Sequence, residues 1–285
     1  MAERKRRGGG RSARQAERQK PKSQTVFYIK RNIPVYNLLN EEGLSLIENN
    51  ADTILQEIGI DFRGDPEALE ILKDAGADVK EERVRFPKGM CQSLIRDTAP
   101  KEFIQHARNP ERNVVIGGEK LVLVPAYGSP FIRNVEEGRR YATIEDFRNF
   151  VKLAYLSPEL HHSGGTICEP VDLPVNKRHF DMVYTHMRYS DKPFMGSVTA
   201  PERAEDTVEM AKILFGAEFI ENNTVITSLI NANSPMVWDS TMLGAMKAYS
   251  RNNQAVVVSP FCICLLYTSD AADERSSVDL GGRRI

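Results

Sequence analysis

The sequence lacks a long apolar run, an excess charge of either sign, and a cysteine pattern that would build a metal or disulfide site. No stretch approaches the ~20 apolar residues that cross a bilayer, and no apolar h-region follows the basic N-terminus, so we expect neither a membrane span nor a signal peptide. A formal net charge of -1 argues against nucleic-acid binding by the whole protein. The spacing of Cys91, Cys168, Cys262 and Cys264 suits neither zinc nor disulfides, which predicts apolar fillers in a reducing cytoplasm.

The composition is that of a globular protein, apart from its first residues. Hydrophobic residues make up 41% and charged residues 27% of the chain, which is enough for a packed core. Residues 1–25 begin MAERKRRGGGRSARQAERQKPKS and have almost no large apolar side chains, which predicts a disordered basic tail. This tail could bind RNA or an acidic partner, or be a solvated tail with no specific role; Glu3 and Glu17 are atypical of a transit peptide.

Residues 26–155 are predicted to form a helical N-terminal region with a small β-hairpin. Apolar runs on both sides of Gly117-Gly118 in NVVIGGEKLVLV indicate the hairpin. Each expected helix begins at a capping or proline signal: Asn40 before two glutamates, Asp65 before Pro66, Pro87, and Thr143 with Asp146 three residues later.

Residues 156–261 show a regular alternation of strand and helix patterns. The predicted strands begin near His161, Pro193, Thr224 and Gln254, at intervals of about 32, 31 and 30 residues, the size of a strand–helix unit. The strands are apolar or small at successive positions, as strands buried on both faces are. A doubly wound sheet and a (β/α)8 barrel both fit, but HSGGT lacks the GxGxxG spacing and the even period favours the barrel. The predicted fold is therefore α/β, the first half of a (β/α)8 TIM barrel after the helical region.

Several stretches of the chain resemble a known family. LSLIENNADTILQEIGI, PAYGSPFIRNVEEGRRYATIEDFRNFVKLAYLSPELHHSGGT, DKPFMGSVTAPE and SLINANSPMVWDSTMLGAMKAYSRNNQAVVVSPF together resemble the trimethylamine methyltransferase (MttB-like) family, in order from about Phe27 to Phe261. The resemblance implies a helical region followed by a (β/α)8 barrel, in members about twice as long as the matching part. It also implies transfer of a methyl group from a tertiary or quaternary amine, such as trimethylamine or glycine betaine, to the Co(I) of a separate corrinoid protein. Some members use pyrrolysine, which would lie beyond Phe261.

The end of the chain has a different character. LLYTSDAADERSSVDLGGRRI resembles a translated sequencing-adapter fragment, so residues 262–285 are expected to be a foreign or disordered tail; a real, divergent C-terminus is the alternative. On this interpretation the polypeptide is the first half of a family member and is expected to be inactive by itself.

Candidate substrate-binding residues follow from the barrel geometry, in which sites form at the C-terminal ends of strands. An ammonium group is held by aromatic faces or a carboxylate, and a betaine carboxylate by backbone N–H groups or Asn and Ser donors. Each candidate could instead have a purely structural role in capping a strand or shaping a turn. Gly165 and Thr166 lie at the first of these ends, and the candidates are His162, Glu169, Ser197, Asn231, Asn233, Ser234 and Ser259.

No residue is predicted to be catalytic, because methyl transfer to cobalt requires no protein nucleophile. No cobalamin-binding motif is present, so we expect no cofactor bound directly and a corrinoid supplied by the partner protein. The resemblance also implies a homo-oligomer for the full-length form. The alternatives are a different small-molecule enzyme on a TIM-barrel scaffold and a non-catalytic fragment.

Overall fold

A computed structural model describes residues 29–30, 32–33, 36–128, 130–233 and 236–260. The predicted tails at residues 1–25 and 262–285, and the candidate Ser234, lie outside the described residues. The described part is a mixed α/β structure, in which no helix is both long and apolar enough to cross a membrane.

Helices and strands are interspersed along the chain. The helices are α1 Glu41–Glu57, α2 Pro66–Asp74, α3 Met90–Thr98, α4 Ile144–Leu156, α5 Arg178–Tyr189, α6 Pro201–Phe215, α7 Ala217–Asn222 and α8 Ser240–Arg251. The strands are β1 Ile29–Lys30, β2 Ile60–Arg63, β3 Asp78–Lys80, β4 Arg83–Arg85, β5 Glu102–Gln105, β6 Val114–Gly117, β7 Lys120–Leu121, β8 Phe131–Asn134, β9 Gly138–Tyr141, β10 Phe194–Met195, β11 Ile226–Ala232, β12 Val237–Asp239 and β13 Ala255–Pro260.

Local signals start three helices where the sequence predicts. The side chains of Asn40 and Asp65 accept hydrogen bonds from the first turns of α1 and α2. Thr143 and Asp146 form the predicted capping box at α4. The helix expected at Pro87 begins later, at Met90, because Gly89 takes a left-handed conformation (φ 77°) that interrupts the chain before α3.

Besides the β8-β9 hairpin, two four-stranded sheets lie in the N-terminal region, and the strands of this region pair antiparallel in all three. One has the order β1-β7-β6-β5, and Gly117 and Gly118, both with positive φ, turn the chain between β6 and β7. The other has the order β12-β2-β4-β3. Its edge strand β12 comes from far along the chain and pairs with β2 in parallel. Trp238 of β12 packs against Phe62 and its neighbours and also against the core of the later residues, so it joins the two halves of the described chain.

A parallel sheet in the order β10-β11-β13 forms the framework of the later residues. Helices α6 and α8 pack together against it, around fully buried Ile226, Ile230 and Tyr249. The Gln254 side chain accepts from the backbone N–H groups of Val225 and Ile226 at 2.9 Å, which fixes the start of β11 beside β13.

The run HHSGGTI is not the regular strand that the sequence predicts, although it lies where that strand would be. Ser163 N–H donates to Pro193 O at 2.8 Å, and Met195 N–H donates to Gly164 O at 2.9 Å, so this segment runs beside β10. Gly164 has a φ of 90°, which breaks the extended geometry after two hydrogen bonds. The result is a short parallel pairing followed by a tight turn.

Candidate active site

A cavity of about 560 Å³ lies at the C-terminal ends of the parallel strands. That volume is within the ~300–1,000 Å³ range of small-molecule sites. One side of the cavity is formed by residues that follow the 161–165 segment, residues that follow β10, and the second half of β11. Helices α5, α6 and α8 add further side chains. The lining consists of Tyr127, Gly128, Thr166, Glu169, Arg178, His179, Met182, Gly196, Ser197, Val198, Thr199, Arg203, Leu229, Asn231 and Met242.

The end of β10 is held in place by a buried tyrosine. The Tyr249 hydroxyl donates to Ser197 O at 2.5 Å, and burial raises the pKa of Tyr249, so the proton stays available for this bond. A Cβ atom on Gly196 would lie 2.3 Å from the Tyr249 hydroxyl oxygen. Only glycine therefore lets the strand end approach the ring this closely.

A buried histidine supports the cavity from beneath. His162 is 1% exposed; its Nδ1 accepts from Gly164 N–H at 2.8 Å, and its Nε2 lies 3.2 Å from Oε1 of Gln105. The Gln105 amide in turn donates to Phe194 O at 2.9 Å and to Val225 O at 3.1 Å, so one side chain joins β10, β11 and this histidine. Burial, together with neighbouring His186, lowers the pKa of His162 to about 3, so the ring is neutral.

A second buried histidine fixes the turn that follows. Nε2–H of His186 donates to Gly165 O at 2.9 Å, which leaves Nδ1 to accept from the Ser163 hydroxyl at 2.7 Å. Burial lowers the pKa of His186 to about 4, although the bond to Gly165 O opposes the shift. Both rings are fully hydrogen-bonded within the protein, so their role is to hold the turn that leads to Thr166.

The charged groups of the cavity are unequally paired. Glu169 forms an ion pair with Arg178, whose side chain is mostly buried. Arg203 donates from Nη1 to the Thr199 hydroxyl at 2.6 Å and has no ion pair with a carboxylate among the described residues. The lining therefore has two guanidinium groups and one carboxylate, which leaves one positive charge uncompensated.

Two buried polar atoms in the lining have no hydrogen-bond partner among the described residues: Nδ1 of His179 and Oδ1 of Asn231. His179 is 5% exposed, and its Nε2 lies 2.8 Å from Oδ2 of Asp206, which leaves Nδ1 as the unsatisfied position. Unsatisfied buried polar atoms cost about 1–3 kcal/mol each, so a polar ligand in the cavity would be stabilised by meeting them.

The structure brings together three of the predicted candidates and Thr166. Glu169, Ser197 and Asn231 all line the cavity. Asn233 instead donates to Asp239, outside the cavity. Ser259 on β13 lies beside Asn231 of β11 but does not line the cavity. His162, expected at the strand end, lies beneath the cavity because Gln105 and Gly164 hold its ring in the core.

Several lining residues were not predicted, in part because the strand-end rule leaves out residues on helices. Arg203 lies in the first turn of α6, a few residues after β10, and extending the strand-end rule by one helical turn would have included it. Tyr127 reaches the cavity from a segment that runs beside residues 161–166, where Gly128 N–H donates to Thr166 O at 2.9 Å. The other lining residues that were not predicted are Arg178, His179, Met182, Gly196, Val198, Thr199, Leu229 and Met242.

No group of three or more His, Cys, Asp or Glu side chains able to hold a metal ion occurs within the described ranges. The cavity combines an aromatic ring, thioethers, hydroxyls, an amide and charges of both signs, so it can hold a small polar organic molecule. The structure is thus an α/β protein with a candidate small-molecule site at the ends of its parallel strands.

Comparison with known proteins identifies the family. The sequence profile of the trimethylamine methyltransferase (MTTB) family matches residues 7–264, and the chain belongs to this family, which confirms the resemblance. A curated relative, glycine betaine methyltransferase of Desulfitobacterium hafniense (strain Y51), is 46% identical over 228 residues, 80% of this chain. The match covers 47% of that relative, so the chain spans about half the length of the curated relative that it matches.

Two solved structures are more distant. The monomethylamine methyltransferase MtmB of Methanosarcina barkeri aligns with a TM-score of 0.41 and 13% identity, over 79% of this chain and 53% of that chain. A hydroxylamine complex of MtmB aligns with a TM-score of 0.40 and 12% identity, over the same shares of the two chains.

Proposed function

We propose that this chain forms part of the substrate site of a methyltransferase that moves a methyl group from a tertiary or quaternary amine, of the trimethylamine or glycine betaine type, to the Co(I) of a corrinoid protein. Membership in the trimethylamine methyltransferase family and the name of the glycine betaine relative support the reaction class. Because the chain covers 47% of that relative, the activity of a whole protein is part of the proposal.

The single observation that carries the proposal for this chain is the chemical mixture in the cavity. The aromatic ring of Tyr127 and the thioethers of Met182 and Met242 suit a methylated ammonium group, since a desolvated cation–π contact is worth ~2 kcal/mol. Ser197 and Asn231 supply a hydroxyl and an amide for a polar substituent of the same molecule.

The demands of the reaction match what such a cavity can do. The C–N bond breaks with its electron pair on nitrogen, so a quaternary ammonium leaves as a neutral amine and needs no acid from the protein. The reduced corrinoid of the partner supplies the nucleophile. The task of the chain is then to hold the ammonium in line and to keep water away, and alignment of this kind can be worth ~7 kcal/mol or more.

We also propose that the strand–helix units are the first half of a (β/α)8 barrel, with the corrinoid protein docking over the mouth and the chain binding no corrinoid of its own. The parallel order β10-β11-β13, with the 161–165 segment beside β10, supports this arrangement. The position of the cavity at the C-terminal strand ends is the one that barrel enzymes use.

The proposal is tested by ligand-observed NMR on the purified 285-residue chain. Saturation transfer to the N-methyl protons of glycine betaine and tetramethylammonium is expected, with glycine as the unmethylated control. Tyr127→Ala should abolish the signal, whereas Tyr184→Ala, at a position 54% exposed and outside the cavity, should preserve it.

A second measurement tests the methyl transfer itself. The chain is incubated with glycine betaine and cob(I)alamin as acceptor, and the N,N-dimethylglycine formed is measured. Product would support the whole proposal, and binding without product would limit the role of this chain to the substrate site. A folded chain that binds no methylated ammonium compound would refute the proposal.

A further inference from the structure

The charges of the cavity can discriminate between the substrates that the proposed function leaves open. A simple methylated amine is a cation, whereas a betaine carries a carboxylate as well as its ammonium group. The two kinds of ligand place opposite demands on any charge in the lining that is not already paired.

The pairing within the lining singles out one residue. Glu169, the acidic residue of the lining, is in contact with Arg178, so these two charges offset each other. Asp206, three residues after Arg203 on α6, directs its carboxylate to His179 at 2.8 Å instead. Arg203 therefore faces the cavity with a hydroxyl partner and no acidic one among the described residues.

The surroundings of Arg203 strengthen its preference for an anion. Arg203 lies in the first turn of α6, where the helix dipole also favours negative charge. The N-cap residue of this helix, Ala200, provides no side-chain hydrogen bond to the first turn. The bond from Nη1 to the Thr199 hydroxyl holds the guanidinium in place while leaving its other N–H groups available.

We propose that Arg203 binds the carboxylate of a zwitterionic methylated amine and is the residue that makes this site select betaines over simple methylamines. The inference rests on the proposed function, because it assumes that the cavity holds a methylated ammonium group. The uncompensated positive charge then acts twice: it attracts the carboxylate of a betaine, and it repels a ligand that carries only a cation.

The test is a ligand-observed NMR titration of the 285-residue chain with glycine betaine, choline and tetramethylammonium. Choline keeps the trimethylammonium group and replaces the carboxylate with an alcohol. The unaltered chain is expected to bind glycine betaine more tightly than choline. Arg203→Gln is expected to weaken glycine betaine binding about ten- to hundredfold, the value of a charge-assisted hydrogen bond, and to leave choline and tetramethylammonium unchanged or tighter.

Charge reversal separates this role from a structural one. Arg203→Glu is expected to reverse the preference, so that choline binds more tightly than glycine betaine, an outcome that loss of packing could not produce. Lys212→Gln is the matched control, because it removes a cation from the same helix at an exposed pair with Glu209. Its ligand preference should equal that of the unaltered chain, and thermal melts should show that all variants are folded.

The possible failures are distinguishable. Equal losses for all three ligands in Arg203→Gln, or unchanged glycine betaine binding, would overturn the role of Arg203 and leave the proposed function standing. Failure of the unaltered, folded chain to bind any of the three would overturn the proposed function and this inference with it.

Discussion

Acid should destabilise this protein at a pH set by His162 and His186. Both rings are buried and neutral, and burial lowers their pKa values to about 3 and about 4, from 6.5 in the unfolded chain. A base whose pKa is depressed by folding stabilises the native state fully above the unfolded pKa. That contribution is lost as the pH falls from 6.5 toward the folded values, because the unfolded chain takes up protons that the native rings exclude.

The magnitude follows from proton linkage. At pH 5 each histidine is mostly protonated in the unfolded chain and neutral in the folded one, which costs about 2 kcal/mol per ring. The two together remove about 4 kcal/mol at pH 5 and about 6 kcal/mol at pH 4. A domain with a typical total stability of ~5–15 kcal/mol would then be close to unfolding.

Urea unfolding followed by circular dichroism at pH 7, 6 and 5 measures this loss. His186→Gln can still donate to Gly165 O but cannot titrate, so its pH dependence between 6.5 and 4 should be about half that of the unaltered chain. A constant unfolding free energy from pH 7 to pH 5, or an equal fall in a chain with both histidines replaced, would refute the reasoning.

Three further changes test the packing around the site. Lys192→Met should lower the free energy of urea unfolding by ~3 kcal/mol, because the buried ammonium donates to three backbone carbonyls at 2.7–2.8 Å near the end of α4. A loss under about 0.5 kcal/mol would contradict this. Thr143→Ala should cost ~1 kcal/mol by removing the cap of α4, and an unchanged urea midpoint would count against the capping box. Gly196→Ala should lower the free energy of unfolding by ~1–3 kcal/mol, because its Cβ would lie 2.3 Å from the Tyr249 hydroxyl oxygen. The loss should be smaller in a Tyr249→Phe background, and full additivity of the two substitutions would argue against the contact.

Much of the secondary structure could be predicted because its signals are local. Asn40, Asp65 and Thr143 begin their helices through bonds to N–H groups three residues away, so the sequence nearby contains both partners. The apolar run of β11 likewise reflects burial on both faces, whereas Val257 and Val258 of β13 are 45% and 55% exposed. The helix expected at Pro87 began late because a left-handed Gly89 was not recognised as a break.

Sequence patterns could not predict the long-range pairings. Val237–Asp239 precede a helix and look like its start, yet they form β12, because β2, which begins more than 170 residues earlier, offers a free edge. His162 follows the rule that strand ends face the site, but Gln105, 57 residues away, draws its ring beneath the cavity.

The sequence alone determined the family, the α/β alternation and three of the cavity residues: Glu169, Ser197 and Asn231. Only the tertiary structure decided the charge of the cavity, because that charge depends on which side chains meet. Glu169 is offset by Arg178, Asp206 faces His179, and Arg203 is left without an acidic partner among the described residues. Capping and burial act over a few residues and are visible in a sequence, whereas a Coulomb interaction depends on distances in space that only the folded chain sets.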